Sequence, residues 1–459
     1  MKILLIAPIA KYTPTRWIPL GMSYISSLLK QKNHNVKLYD RFLRNHILGY
    51  EEKVNLEMKS EILKYNPDII GFSTVSPLIY DTKECVHYIR EFYKGIIVAG
   101  GHHATAMPLH TLERIPGLDY VCVGESEYTM LSLADGEKTS KIPGLFSLKT
   151  ANTNLKTAQI KELDELPLPD YKIFDMGYYT QANQHAIRGF FLKTACMITS
   201  RGCFNSCSFC TESLTFGKSV RFHSSDYVIE NIEKLIKDYN IEGIYFHDNN
   251  FLASLPHAED ICHKIIKLNL HKKIKWAIQA NASKANNDIL KLLSEAGCIK
   301  VEIGVESLKD SDLRSINKDL TVDLGKNVLI MCRKNNINVH AYFITGFKRE
   351  KISDLNNILK WIKKYKPHTF SLSRLQLYPG TEIYKNEGKK FFENNDWSRN
   401  NIDNYFFKDN ISSINPTEKS KWNLQIYSPF AKKYQIMAIL KVNSLKSILK
   451  MAYLKIFTN

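Results

Sequence analysis

Three cysteines in one short stretch carry the strongest chemical signal in the chain: Cys203, Cys207 and Cys210, in Arg201-Gly202-Cys203-Phe204-Asn205-Ser206-Cys207-Ser208-Phe209-Cys210. The C-x3-C-x2-C spacing lets one loop turn three thiolates toward a common point. A zinc site wants four donors, and no histidine falls at a finger-like distance to supply the fourth. Three thiolates suit a 4Fe–4S cluster, holding three irons and leaving the fourth open. An open iron is useful when a small molecule with an amine and a carboxylate chelates it. The other six cysteines are scattered, and Cys122, Cys196 and Cys332 lie in apolar surroundings as inert core thiols.

Other loops carry polar or permissive residues. Ala99-Gly100-Gly101-His102-His103-Ala104-Thr105 pairs two glycines, which lets the backbone approach a flat or phosphate-bearing ligand closely. Ser73-Thr74-Val75-Ser76, Gly124-Glu125-Ser126 and Pro19-Leu20-Gly21 sit at comparable junctions. Further on come His247-Asp248-Asn249-Asn250-Phe251, Gly304-Val305-Glu306-Ser307 and Pro379-Gly380-Thr381. Each has a plain structural alternative: Asp248-Asn249 as an Asx turn, Glu306 as a surface acid, and Ser307 as a helix N-cap before Leu308. Arg201 reads as an exposed, positional arginine beside the cysteine loop.

Positioning these loops requires parallel strands. Residues 1–135 alternate apolar runs (Ile3–Ala7, Val36–Tyr39, Ile69–Thr74, Ile96–Gly100, Tyr120–Gly124) with helical patterns, the signature of a doubly wound, Rossmann-like sheet. Ligands in such sheets sit beyond the carboxyl ends of the strands. Residues 136–194 lose the rhythm around the acidic, proline-bearing Leu163–Tyr171, an inter-domain linker following a small hairpin near Gly144–Lys149. Six further runs (Ala195–Thr199, Gly243–His247, Lys275–Gln279, Lys300–Val305, Val339–Thr345, Thr369–Leu372) define a partial or full βα barrel over 195–390. Residues 391–459 form a basic, mainly helical extension, in which Leu445, Ile448, Leu449, Ala452 and Ile456 make a helical stripe. The expected fold is thus α/β: a doubly wound domain, a linker, a barrel and a helical tail.

Composition narrows the class. The 459 residues are 44% hydrophobic and 24% charged, which excludes a mostly disordered chain, a collagen-like rod and a polytopic membrane protein. Nine cysteines are too sparse for a disulfide scaffold. The N-terminal run Ile3–Ala7 stops at Pro8 and is too short for a secretory core, so a cytosolic protein is expected. The net charge of +17 permits anionic partners without selecting one. Residues 411–459 hold eight lysines against Glu418, which suits either a solvated helix face or contact with a membrane surface; no RNA-binding signature accompanies them.

The cysteine triad, with Phe209 ahead of its last member and a barrel strand before it, resembles the radical S-adenosylmethionine (SAM) enzymes. His247–Phe251 stands where those enzymes carry an acidic turn, Gly304–Ser307 is similar to their GIES segment, and Pro379–Thr381 to their PGT turn. With the doubly wound domain in front, the likeness is to the cobalamin-binding subgroup and spans about residues 1–385. The resemblance implies that Cys203, Cys207 and Cys210 hold the 4Fe–4S cluster and that Phe209 packs near the SAM adenine. It implies that Asp248 and Asn249 set backbone groups against the SAM amine, while Glu306 and Ser307 bond its ribose or aminoacyl part. Cobalamin would lie against Leu20, Gly21, Ser73, Thr74, Gly100, Gly101, His102, His103, Gly124 and Glu125. No D-x-H-x-x-G occurs in the first domain, since Asp40 is followed by Arg41 and Phe42, so cobalt is expected to have no histidine below it.

The sequence departs from the family at Asn249, where relatives carry a second acid, and in Ile344–Glu350, where Gly346 is not followed by their proline and glycine. The implied activity is methylation of an unactivated carbon through a 5′-deoxyadenosyl radical and methylcobalamin. The alternatives are a cobalamin-binding radical oxidoreductase or cyclase and a non-catalytic cofactor-binding sensor. Implied partners are a small-molecule or lipid-like substrate and a one-electron reductant of flavodoxin or ferredoxin type, with peripheral membrane contact through the tail.

Overall fold

The structure, a computed structural model, describes residues 1–9, 17–149, 158–348, 350–386, 391–403, 405, 428–444 and 447–448. Its strands are β1 (Lys2–Ala7), β2 (Asn35–Asp40), β3 (Ile69–Ser73), β4 (Ile96–Gly100), β5 (Tyr120–Cys122), β6 (Leu145–Phe146), β7 (Thr194–Met197), β8 (Ser200–Arg201), β9 (Arg221–Phe222), β10 (Gly243–Phe246), β11 (Lys275–Ala280), β12 (Cys298–Glu306), β13 (Asn338–Thr345) and β14 (Thr369–Arg374).

β1 to β5 are parallel in the order β2-β1-β3-β4-β5, and β6 closes that edge antiparallel to β5. The strands are continuous apolar runs because helices cover both faces. Leu4, Ile6, Ile70 and Phe72 face one apolar core, while Ile3, Leu5 and Ile69 face the other. Strand order reverses between β1 and β3, so the ligand crevice of this topology opens beyond their carboxyl ends. The segment expected to be a hairpin near Gly144–Lys149 instead contributes β6 to this sheet.

The second sheet is all parallel, in the order β7-β10-β11-β12-β13-β14. Among the described residues its end strands do not pair, so the barrel is partial. The six apolar runs and these six strands coincide, because each run is flanked by an amphipathic helix. Capping sets the helix ends: Ser224 caps the helix Ser225–Tyr239 through a hydrogen bond from Tyr227 N, and Asn240 ends it in a left-handed conformation.

Two connecting segments differ from expectation. The stretch read as a linker is buried, with Leu163, Leu166, Tyr171, Phe174 and Tyr179 joining one core with both sheets. Its prolines and acids suppress periodicity, but its apolar residues cement the domains. The residues after the barrel return to the first domain, where Phe392, Trp397, Ile402 and Tyr405 enter the core on the far face of the first sheet. Arg399 pairs with Glu51 at 2.5 Å. The helix Ser428–Val442 does pack on the barrel edge, through Phe430 and Tyr434 against Phe370. Of the expected tail stripe, Leu445, Leu449, Ala452 and Ile456 lie outside the described residues. No described helix is long and apolar enough to cross a membrane.

Candidate functional site

The cysteine loop begins where β7 ends. Asp248, just past β10, turns its carboxylate back toward β7 and accepts hydrogen bonds from Thr199 N at 3.0 Å, Thr199 Oγ1 at 2.7 Å and Ser200 Oγ. Asp248 is buried, and burial raises its carboxyl above the ordinary value while these hydrogen bonds oppose the rise. The acid expected beside the SAM amine therefore anchors the base of the loop; its neighbour Asn249 lines the inter-domain cavity. Next, β8 and β9 pair antiparallel, Arg201 opposite Arg221, and pinch the loop closed. Gly202 permits the exit turn, with φ at +96°, and a Cβ there would stand 2.2 Å from Ser219 O.

Further along, Ser208 N donates to Ile316 O at 3.0 Å and Ile383 N to Ser208 O at 2.9 Å. These bonds tie the loop to the segments following β12 and Pro379–Thr381. Phe209 packs against the small apolar cluster of Ile316, Ile344, Phe347 and Leu375, as does Ile383.

Cys203, Cys207 and Cys210 are partly exposed, whereas the other six cysteines are buried. Burial pushes the Cys210 thiol up to about 12, and nearby Glu212, Cys207 and Cys203 add to the rise. Such thiols keep their protons until a metal centre displaces them. Among the described residues no three His, Cys, Asp or Glu side chains converge tightly enough for a single metal ion. The three thiols of one clamped loop are the residues that would hold a 4Fe–4S cluster.

The loop forms one wall of a cavity of about 520 Å3 between the two domains. Arg201, Glu212, Thr215 and Phe216 line it from the loop, and His247, Asn249 and Gln279 from the barrel strand ends. The first domain contributes Leu20, Gly21, Ser73, Gly100, Gly101, His102, Gly124 and Glu125, each at a β1, β3, β4 or β5 exit or at the start of the first helix. A Cβ on Gly21 would meet no atom within 4 Å, so the backbone there leaves open space for a ligand. This apolar cradle with a polar rim fits a corrin face.

Two expected contacts fall behind the wall. Thr74 is buried and donates through Oγ1 to Gly100 O at 2.8 Å. His103 is fully buried, bonds Ser76 Oγ through Nδ1 at 2.9 Å and packs against Phe392 and Trp397. Burial lowers its pKa to about 3, which keeps the ring neutral. His102, its neighbour on the first helical turn, faces the cavity and bonds Thr215 Oγ1 at 2.9 Å.

Glu125 reaches the cavity, but its carboxylate is engaged across the domain interface. Arg201 Nη1 lies 3.1 Å from one oxygen, and Arg221 Nη1 lies 2.6 Å from the other. Arg201 also donates to Glu127 at 2.7 Å and is 4% exposed, so the expected surface arginine is a buried interface residue. Its sequence signal is faint, because its partners lie some 75 residues upstream.

Gly101 shows how tightly the paired-glycine loop is built. Its φ is +97°, and a Cβ would approach Thr74 O to 2.6 Å. The Gly101→Ala variant is expected to lose about 2–4 kcal/mol from the left-handed backbone and the clash together. The midpoint of urea unfolding measures it, and an unchanged midpoint contradicts the close approach.

A second opening, also about 520 Å3, takes Phe209 of the loop into its lining. Phe209, Glu306, Tyr342, Ile344, Ser373 and Leu375 are among its lining. Glu306 closes β12 with φ at +62° and pairs with Lys318 at 2.9 Å. Burial raises the nearby Cys207 thiol, and Lys318 offsets part of that rise. Ser307 is not part of this lining; its Oγ donates to Asp312 at 2.7 Å and accepts from Lys309 N. It organises the turn before the helix Asp310–Ser315 rather than capping a helix at Leu308.

A doubly wound sheet and a partial βα barrel thus flank a three-cysteine loop whose residues line two openings. This arrangement defines a two-cofactor α/β protein. Residues 197–362 match the radical SAM superfamily, and residues 7–134 match the B12 binding domain. The chain therefore carries both a B12-binding domain and a radical SAM domain, in that order.

Among curated relatives, an uncharacterized methyltransferase of Pyrococcus horikoshii is 29% identical over 398 residues, covering 84% of this chain and 83% of that one. An anaerobic magnesium-protoporphyrin IX monomethyl ester cyclase of Rubrivivax gelatinosus is 24% identical, covering 82% of this chain and 67% of that one. The cobalamin-dependent SAM radical enzyme OxsB, solved with aqua-cobalamin and SAM, superposes with a TM-score of 0.74 at 20% identity, over 100% of this chain and 71% of that one.

Proposed function

We propose that this protein is a cobalamin-dependent radical SAM methyltransferase acting on an unactivated carbon of a small molecule. The observation that carries the reading is the shared wall. Residues of the cysteine stretch line both the cavity of the B12-binding domain (Arg201, Glu212) and the opening at Glu306 (Phe209), so cofactors held at the two would both border that stretch. When bound, the cluster and SAM supply a hydrogen-abstracting 5′-deoxyadenosyl radical, and cobalamin supplies the methyl group.

The chain's own residues hold, orient and shield. Cys203, Cys207 and Cys210 bind the cluster. Leu20, Gly21, Ser73, Gly100, Gly101, His102 and Gly124 carry the cobalamin face, and Thr74 and His103 brace their loop from behind. Phe209 and Glu306 contact SAM, with Ser307 shaping the adjoining turn and Asn249 reaching from the cavity side. Asp248 and the Arg201–Glu125–Glu127 cluster hold the loop in place. The division is into residues 1–135, 136–194, 195–390 and 391–459, with 391–405 attached to the first unit.

A one-electron reductant of flavodoxin or ferredoxin type completes the system. The helix Ser428–Val442 exposes Ile436, Met437 and Leu440 one turn after Lys432 and Lys433, an arrangement that suits peripheral contact with an anionic membrane.

The test is product mass. Protein reconstituted anaerobically with iron, sulfide and hydroxocobalamin is supplied with a reductant and with SAM deuterated on its methyl group. Label in the product, at a gain of one methyl, supports the reading. Loss of hydrogen or gain of oxygen without label replaces it with the oxidoreductase or cyclase, and retained cofactor without SAM cleavage replaces it with the sensor.

A further inference from the structure

The inner face of β12 is unusual for a barrel strand. Lys300, Glu302, Gly304 and Glu306 alternate along it, while Val301, Ile303 and Val305 point into the apolar core behind. Barrel interiors are ordinarily filled by branched apolar side chains. Glu302 sits at mid-height, 1% exposed, opposite Gln279 of β11 and His340 of β13. Its Oε2 is fully engaged: Arg188 Nη1 donates at 2.6 Å, Tyr245 OH at 2.9 Å, and Tyr342 OH as well. Its Oε1 is buried with no hydrogen-bond partner. Lys300 does not serve it, because that ammonium is directed to Arg188 O and Thr369 Oγ1.

A buried carboxylate oxygen without a donor is costly, and such atoms in native proteins call for an explanation. Position supplies one. Tyr342 lines the opening at Phe209 and Glu306, and Gln279, which donates to Tyr245 OH at 2.9 Å, lines the inter-domain cavity. Glu302 lines neither opening itself, but its carboxylate holds Tyr342 of the one and, through Tyr245, is linked to Gln279 of the other, so a small movement of either side chain would expose it to a bound molecule. Trp17 and His247 of the cavity wall pack at 4.7 Å beside Tyr245, adding flat apolar surface next to the acid.

We propose that Oε1 of Glu302 is the substrate anchor, accepting a hydrogen bond from an O–H or N–H group on a polar, ring-bearing small molecule. This deepens the methyltransferase reading and rests on it for the word substrate. A purely hydrocarbon molecule would leave the oxygen desolvated and unpaired, so sites of this kind reject analogues that lack the donor.

The probes are phenol and its near-isostere toluene, with binding followed by calorimetry on the reconstituted protein. Phenol is expected to bind at least about fivefold more tightly, against the order of hydrophobicity. In Glu302→Gln, Arg188 and the two tyrosines hold the carboxamide oxygen and leave its NH2 where Oε1 stood. The preference then falls to about one in a variant that unfolds at the wild-type urea midpoint. No preference in the wild type, or an unchanged preference in the folded variant, overturns the proposal. Should the variant fail to fold, a crystal of the wild-type holoprotein with phenol decides: the hydroxyl within hydrogen-bond reach of Oε1 supports it, and any other position overturns it. If the phenol preference holds but the wild type never cleaves SAM, the methyltransferase reading fails while the anchor stands.

Discussion

Arg201→Met is expected to remove about 3–5 kcal/mol of stability and to lower iron incorporation, although Arg201 is no cluster ligand. Its guanidinium is almost fully buried between Glu125 and Glu127 of the first domain and lies 4.9 Å from the Tyr24 ring centroid. Burial alone would lower its pKa, but Glu127 and Glu125 hold it above the ordinary value. Removing the cation leaves Glu127 buried and unpaired, and leaves Glu125 with Arg221 and Ile160 N alone. Because Arg201 also sits in β8, at the base of the cysteine loop, the damage reaches both the domain contact and the cluster. The double variant Arg201→Met, Glu127→Gln is expected to recover part of the loss, since the stranded charge is gone. A single-variant change below about 1 kcal/mol in urea unfolding would mean that the buried pairs do not fasten the domains.

Cys207→Ala is expected to do the reverse: a large loss of chemistry with little loss of fold. The side chain is partly exposed in a loop clamped mainly by backbone bonds, so unfolding should shift by less than about 1 kcal/mol. Uncoupled 5′-deoxyadenosine formation should fall by more than about 100-fold, because two thiolates cannot keep a cluster with one open iron. Cys332→Ala is the contrasting control. That thiol is fully buried, so it should cost about 1 kcal/mol of stability and leave SAM cleavage intact. Full deoxyadenosine yield from Cys207→Ala would remove the cluster from this loop.

The contrast between these variants shows what was legible in the residues. Strand runs and the cysteine spacing are local patterns, and local patterns survive reading one stretch at a time. Position across the chain does not. His102 and His103 are adjacent in sequence, yet one faces the cavity and the other is buried behind it, because consecutive residues on a helical turn diverge by about 100°. Asp248 lay in a recognisable turn, but nothing local says that its carboxylate folds back onto Thr199 and Ser200. Glu302 was hidden inside an apolar run, where a single acid resembles the polar alternation of a half-exposed strand. The segment holding Phe392, Trp397 and Arg399 was unreadable because its partners, His103 and Glu51 among them, lie 289 to 348 positions earlier.

The open iron is the claim on which the rest depends, and electron–nuclear double resonance of the reduced, reconstituted protein tests it most directly. With SAM labelled by 15N at its amine and 17O at its carboxylate, hyperfine coupling of both nuclei to the cluster is predicted, together with loss of that signal in Cys207→Ala. A cluster that forms yet shows no coupling to either label would contradict a vacant vertex that SAM occupies.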